Sequence, residues 1–363
     1  MNDNALVSVI IPVYNKVYAL EHTLQSIQNQ DYSAFEVLLI DDGSIDESAA
    51  ICDEFQKEDS RFIAIHKTNG GVSSARNCGL EIMKGKYVFF CDADDELPSD
   101  ALALLVAAQE KSKAELVIGG FAYKNIRTGN IASPYSLNRT EMMFAVEELK
   151  DKADLLWAEN NMLTSCTRLY LSEIVKKNRI KFNEELIVLE DFDFVLSYLQ
   201  YVNRIHNIRE YTYYQILGYG VDSYRASVDY IDNIKTVYEK FIRFLYKQSI
   251  MKTETVMKEI NLVIADDLKR IATMIPKGFS EVIKRKVRSN TILSYDCVQQ
   301  ALSGVSWDNN TRHLIDNYGI KNWLSGLAIQ KKNIIDDLDS VKVEKGRLIS
   351  TLWKWKSLIR IYI

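Results

Sequence analysis

Short apolar runs alternate with amphipathic stretches along the first 120 residues. Val7-Ser8-Val9-Ile10-Ile11 is apolar and β-branched and is closed by Pro12, and Leu20, Leu24 and Ile27 follow at helical spacing. Phe35 to Ile40 predicts a second strand, ending in Asp41-Asp42-Gly43-Ser44, with Asp46 as the N-cap of a helix through Ile51 and Phe55. Phe62-Ile63-Ala64-Ile65 is a third strand, and Ser73 or Ser74 caps a helix through Leu80 and Met83. Tyr87-Val88-Phe89-Phe90 is a fourth strand, a helix runs from Ser99 to Ser112, and Leu116-Val117-Ile118 is a fifth strand. Nearly all-apolar strands in strict alternation with helices predict a parallel sheet covered on both faces. Ligands on such sheets bind beyond the carboxyl ends of the strands.

Further along, the pattern changes. Residues 121–160 have weak periodicity, as expected of a variable region that Trp157 and Met162 either line or merely pack. From about Val228 the chain turns helical with Pro276 as a breaker, and Ile234, Val237, Phe241, Phe244 and Leu245 make one apolar face. In the last forty or so residues Leu327, Ile334, Leu338, Val341, Leu348, Leu352, Trp355, Ile359 and Tyr362 follow heptad spacing, interrupted by Lys331 and Lys345. Leu352 to Ile363 combines cations and aromatics without an acidic side chain, which suits a helix on a membrane surface as well as one pairing in a homodimer. Lys284-Arg285-Lys286-Val287-Arg288 is a basic run that suits a solvated helix face or an anionic partner. The expected organisation is an α/β domain over 1–225, split into halves of 1–120 and 121–225. A helical domain over 226–325 and a terminal helix over 326–363 follow.

Composition narrows the function classes. A net charge of −4 argues against bulk nucleic-acid binding. Five cysteines, an odd number without paired spacing, argue against a disulfide framework or a zinc site. The start, Met1-Asn2-Asp3-Asn4, lacks a basic and apolar leader, and no apolar run reaches the roughly 18–20 residues a bilayer requires. The expected compartment is the reducing cytoplasm.

The candidate chemistry lies where the strands end. Pro12-Val13-Tyr14-Asn15, Asp41-Asp42-Gly43-Ser44, Lys67-Thr68-Asn69-Gly70-Gly71 and Asp92-Ala93-Asp94-Asp95 follow strands one to four. Three carboxylates in the last cluster repel one another unless a cation sits among them, which suggests a divalent-metal and phosphate-ester site. Oxygen ligands favour Mg²⁺ or Mn²⁺. A solvated acidic loop capping the next helix is the plainer alternative. Tyr14 offers a flat face for stacking a base, or packs as a rim aromatic. Asp41 can accept from a base N–H, or serve its turn. Gly70-Gly71 lets backbone approach a ligand. Arg76 can pair with phosphate, hold Asp92 in place, or lie on the surface.

These four clusters, with Leu39-Ile40-Asp41-Asp42-Gly43-Ser44-Ile45-Asp46, Asn69 through Leu80 and Phe90 through Asp95 in that order and spacing, resemble glycosyltransferase family 2. The match is close over residues 5 to about 120 and weaker to about 225. The resemblance implies a GT-A fold and sugar transfer with inversion. It implies that Pro12, Tyr14 and Asp41 hold the nucleotide base and that Asn69 and Arg76 line the nucleotide pocket. Asp92 would face the ribose and metal, and Asp94 would ligate the Mn²⁺ or Mg²⁺ on the diphosphate. Leu189-Glu190-Asp191-Phe192 fits the family's second acidic motif, with Asp191 as the base. Asp191 then takes the acceptor proton in a single displacement. A plain helix-start acidic pair is the alternative. The loop 211–225 departs from the family's pattern: it has no His, so a third metal or diphosphate contact from Asp222 or Arg225 stays open. His206 reads as structural. The donor expected is a UDP-sugar carrying a hexosyl or N-acetylhexosaminyl group. The acceptor is a glycan or lipid-linked intermediate at the inner face of a bacterial membrane. A nucleotidyltransferase, lacking its glycine-rich basic loop here, and a catalytically silent assembly subunit are the rival readings.

Overall fold

The structure is a computed structural model, which describes residues 5–132, 141–146, 148 and 164–219, together with 233, 236, 237, 240, 241 and 244. The expectations for Trp157, Met162, Asp222, Arg225, the basic run 284–288 and the terminal helix lie outside the described residues. So do those for most of the 226–325 domain. Two compact units divide the chain, one of residues 1–186 with 190–221, the other of 187–189 with 222–363. In the second unit the Asn233 side-chain oxygen accepts from the Ile187 and Val188 amides, at 2.7 and 3.2 Å, and Val237, Phe241 and Phe244 are buried. Among the described residues no helix is long and apolar enough to cross a membrane.

The first unit is built on one mixed sheet. Its first half alternates strand and helix: β1 (Val7–Val13), α1 (Leu20–Gln28), β2 (Phe35–Asp41), α2 (Ser48–Glu58), β3 (Phe62–His66), α3 (Val72–Ile82), β4 (Tyr87–Phe90) and α4 (Ala101–Ser112). Strands β1 to β4 pair in parallel in the order β3-β2-β1-β4. The edge strand β3 is only partly buried, whereas β1, β2 and β4 are buried on both faces, β2 and β4 throughout. This is why their sequences are apolar runs rather than alternating ones.

The alternation stops after α4. β5 (Leu116–Asn125), β6 (Ile131–Ala132), β7 (Met142–Ala145), β8 (Arg168–Leu171), α5 (Ser172–Lys177), α6 (Glu190–Leu199) and β9 (Arg204–Leu217) complete the unit. β8 inserts antiparallel between β4 and β5, and β9 runs parallel to β5. After α6 comes β9, a single 14-residue strand. Two of the expected helix caps also differ. Gly71, at φ 88° and ψ 167°, is the residue before α3, so Ser73 and Ser74 fall inside its first turn. Glu47 precedes α2, while Asp46 still accepts from the Ser48 amide at 3.0 Å.

An aromatic cluster anchors α6 to the sheet. Phe182 and Phe194 stack at 4.2 Å, and Phe90, Tyr170 and Tyr198 meet this pair or one another edge-on. The Tyr198 hydroxyl donates to the Glu115 carbonyl at 2.7 Å and accepts from the Leu171 amide at 2.8 Å. The start of α6 is thereby held beside the end of β4.

Candidate active site

The loops beyond β1 and β2 are laced together by short side chains. Asn15 has φ 52°, a left-handed geometry that asparagine tolerates. Its amide donates to Ser44 Oγ at 3.1 Å, and its side-chain oxygen accepts from the Ile45 amide at 2.9 Å. Tyr14 next to it is 46% exposed, so one ring face is open at the rim. Pro12 pairs in register with Ile40 but lies beyond the β1–β4 ladder, which ends at Ile10 and Phe90. Its missing N–H therefore breaks no pairing on the β4 side.

Asp41, buried at the end of β2, accepts from the Ser44 amide at 3.0 Å and meets His66 Nδ1 at 2.9 Å. Burial alone would raise its carboxyl, but the Ser44 and His66 hydrogen bonds outweigh that and hold it below the usual value. Asp42 is bound differently. Its carboxylate accepts from the Gly70 and Gly71 amides and from Lys67 Nζ, and its carbonyl accepts from Asn69 Nδ2 at 2.9 Å. The glycine amides expected to approach a ligand are spent on Asp42, and Asn69 faces the same loop. Gly71 has room for a Cβ, with no atom within 4 Å, yet its backbone angles belong almost solely to glycine. Gly71→Ala is expected to lower stability by about 1–3 kcal/mol, read from urea unfolding. A change within error would show that the loop relaxes freely.

The acidic loop after β4 resolves its own repulsion. Asp92 accepts from Arg76 Nη2 at 2.9 Å, Asp94 pairs with Lys16 Nζ, and Asp95 accepts from Tyr213 Oη at 2.6 Å and the Ile216 amide at 3.0 Å. Two of the three carboxylates thus have a protein cation, and the third is buried. Burial and the charges of Asp92 and Asp94 push the Asp95 carboxyl well above its ordinary value, against the Tyr213 and Ile216 hydrogen bonds. Repulsion within this loop therefore does not by itself require a bound metal. A metal still fits by donor type. Asp94 is 31% and Asp92 38% exposed, and both offer carboxylate oxygens. Among the described residues no group of three or more His, Cys, Asp or Glu side chains is arranged to hold an ion unaided. Mg²⁺ or Mn²⁺ on one or two carboxylates, completed by phosphate oxygens and water, matches that donor set.

Arg76 is the hub. It is 3% exposed and lies 5.1 Å from the Phe182 ring centre. Nη1 donates to Asp191 Oδ1 at 2.8 Å and reaches Glu190 Oε1 at 3.4 Å, while Nη2 holds Asp92. Arg76 thus holds Asp92, one of the roles open to it, and bonds Asp191 as well. Ser165 Oγ donates to the same Asp191 oxygen at 2.8 Å. Leu189, just before α6, has φ 62°, an uncommon geometry for a branched residue and one often found beside functional groups. Burial and the Asp191 charge, against the opposing Arg76, push the Glu190 carboxyl up to about 7. Burial and Asp92 also raise Asp191, against Arg76 and Ser165. Both carboxyls are thus raised by burial and by neighbouring carboxylates, and they share the one Arg76 guanidinium.

Sequence reasoning missed four contributors. Asn77 exchanges hydrogen bonds with the Phe182 backbone at 2.8 and 2.9 Å, which fixes the segment leading to α6. Ser165, His66 and Lys16 had no motif role beyond their positions. His206 is buried between the Ala108 carbonyl and Glu141, as a structural histidine would be.

The family model "Glycosyl transferase family 2" matches residues 8–178. EpsJ of Bacillus subtilis, an uncharacterized glycosyltransferase, is 29% identical over 310 residues, covering 82% of this chain and 86% of EpsJ. The poly(ribitol-phosphate) beta-N-acetylglucosaminyltransferase TarP of Staphylococcus aureus is 27% identical over 267 residues, covering 68% of this chain and 74% of TarP. Glycosyltransferase GlyG of Streptococcus pneumoniae is 34% identical over 145 residues, but the chain spans only 47% of it. Among solved structures, S. aureus TarS residues 1–349 with UDP-GlcNAc aligns at TM-score 0.57 and 22% identity, covering 86% of this chain and 89% of that one. At that identity the likeness carries the fold alone. The fold is the GT-A fold that the motifs implied, and residues 8–178 carry a glycosyltransferase family 2 domain.

Proposed function

We propose that this glycosyltransferase moves a hexosyl or N-acetylhexosaminyl group from a UDP-sugar to a hydroxyl of a bacterial surface glycan or its lipid-linked precursor, with inversion. The observation that carries this reading is the Arg76 bridge, which sets the acidic loop after β4 beside the Glu190-Asp191 pair at one rim. Tyr14 and Pro12 would hold the base and Asp41 would accept its N–H, with Asn69 fixing the loop around it. Asp94, with Asp92, would hold Mn²⁺ or Mg²⁺ through carboxylate oxygen. That ion would supply charge stabilisation for the departing diphosphate. Asp191 would take the acceptor hydroxyl proton. The freed oxygen would attack the anomeric carbon from the face opposite the diphosphate, and the sugar–phosphate bond would break. Ser165 and Arg76 orient the base while Arg76 keeps Asp92 in register. The kinship with TarP, and the UDP-GlcNAc bound by TarS, favour a UDP donor and a cell-surface acceptor. Work at the inner membrane face and pairing through the terminal helix remain part of the proposal.

Incubation with a panel of nucleotide sugars and MnCl₂, followed by assay of released nucleoside diphosphate, tests the donor. UDP release from a UDP-sugar is expected, and release of only another nucleotide, or of none with any acceptor tried, would overturn it. Asp94→Ala is expected to weaken Mn²⁺-dependent UDP binding about tenfold or more, measured by calorimetry with and without MnCl₂. Unchanged metal dependence would remove Asp94 from that role.

A further inference from the structure

His66 lies at the end of β3, outside every motif assigned above, with a carboxylate on each ring nitrogen. Nδ1 is 2.9 Å from Asp41 Oδ2, and Nε2 is 3.0 Å from Asp53 Oδ1. A neutral imidazole has only one N–H, so it would set a lone pair against one of these carboxylates. Both contacts are satisfied only when the ring carries two protons. We propose that His66 is a positioning residue for the nucleotide base: bridging Asp41 and Asp53 as an imidazolium, it fixes the plane of the Asp41 carboxylate and places a positive charge beside it, so that donor affinity depends on a proton at His66.

The surroundings leave this bridge as the main charge interaction of the ring. From β2 it faces Asp41, and from α2 it faces Asp53. Cys52, also on α2, stays a neutral thiol, pushed up to about 12 by burial and by Asp41 and Asp53. Lys67, the next residue, is turned away to Asp42. The Asp41 and Asp53 hydrogen bonds raise His66 above its ordinary value, against its partial burial. Asp41 is 4% exposed at its side chain, so it cannot reorient into water, whereas Asp53 is 62% exposed and can.

The consequence for binding follows in sign. Asp41 keeps one oxygen on the Ser44 amide and one on His66, which leaves its remaining lone pairs aimed in a fixed direction. Loss of the His66 proton removes a cation from a pocket that takes a polyanion, and lets the ring drop one of its two partners. Affinity for UDP is therefore full below the raised His66 value and falls as pH rises through it. This rests on the proposal that Asp41 accepts a base N–H.

The test uses the full chain and UDP, with Kd measured by calorimetry from about pH 5.5 to 8.5 for the wild type, Asp53→Asn and His66→Gln. Ionisation of the UDP phosphate is common to all three and cancels in the comparison. A rise in Kd of about fivefold is expected across the His66 transition in the wild type. In Asp53→Asn, an exposed change that leaves the fold intact, the rise should begin about one pH unit lower. In His66→Gln that step should be absent. Proton NMR of the imidazoles, assigned by difference with His66→Gln, should show His66 titrating above its ordinary range without any ligand. Identical profiles in all three proteins, or a His66 resonance titrating at or below the ordinary value, would overturn the inference while leaving UDP binding intact. Failure of the wild type to bind UDP at any pH would instead bring down the base-binding proposal, and this inference with it.

Discussion

Arg76→Met is expected to abolish transfer and to remove about 3–5 kcal/mol of stability, because it breaks a buried pair and leaves the acids uncompensated. Arg76 is nearly inaccessible and serves Asp92, Glu190 and Asp191 at once. Methionine keeps the apolar stem against Phe182 but none of the charge. Three carboxylates then face one another in a half-buried rim. Their protonated forms become favoured in the folded protein, so the folded state binds more protons than the unfolded one. Stability of the variant should therefore rise as pH falls, and its deficit against the wild type should be larger at about pH 8 than at about pH 5. Urea unfolding at the two pH values, alongside a transfer assay, reads both effects. Arg76→Lys separates charge from geometry. A single ammonium cannot span Asp92 and Asp191 as a planar guanidinium does, so part of the stability should return without the activity. Wild-type stability in Arg76→Met at both pH values would show that the bridge is not what joins these acids.

Asp191→Asn is expected to lower the transfer rate by about a hundredfold to ten-thousandfold while UDP binding stays within about twofold. The substitution keeps the shape and an oxygen to accept from Ser165 and Arg76, and removes the charge together with the capacity to take a proton. Arg76 retains Asp92 and Glu190 as partners, so the fold should hold. If Asp191 is the base, the raised values of Glu190 and Asp191 are expected to set the acid side of the wild-type rate profile. The rate should fall with decreasing pH well before a solvent-exposed carboxyl would protonate, since the base must be ionised to act. Full transfer in Asp191→Asn would remove it from the base role and turn attention to Glu190.

How far the sequence carried depended on the range of each contact. β1, β2 and β4 were legible because a strand buried on both faces writes itself as an uninterrupted apolar run, and β3 because its apolar residues still line the sheet edge. Asp92, Asp94 and Asp191 were legible as acids at element ends. Their partners were not. Arg76 meets Asp191 across 115 positions, and Asn77 meets Phe182 across 105. No local pattern reports such pairings. The acidic loop shows the same limit, since crowded carboxylates imply compensation, but only the fold reveals that Arg76, Lys16 and burial against Tyr213 supply it. The insertion of β8 between β4 and β5 was hidden for a related reason. Antiparallel pairing of a short strand from beyond residue 160 is a topological fact with no periodicity of its own. His66 could have been noticed as a titratable residue closing an apolar strand beside Asp41, though nothing local pointed to Asp53.

The most direct test is a crystal structure of Asp191→Asn with UDP and MnCl₂. The account predicts uracil on the Tyr14 ring with its N–H at Asp41, and the diphosphate beside Asp94, within reach of Lys16. Nucleotide bound away from this rim, with Asp41 and Asp94 untouched, would contradict it.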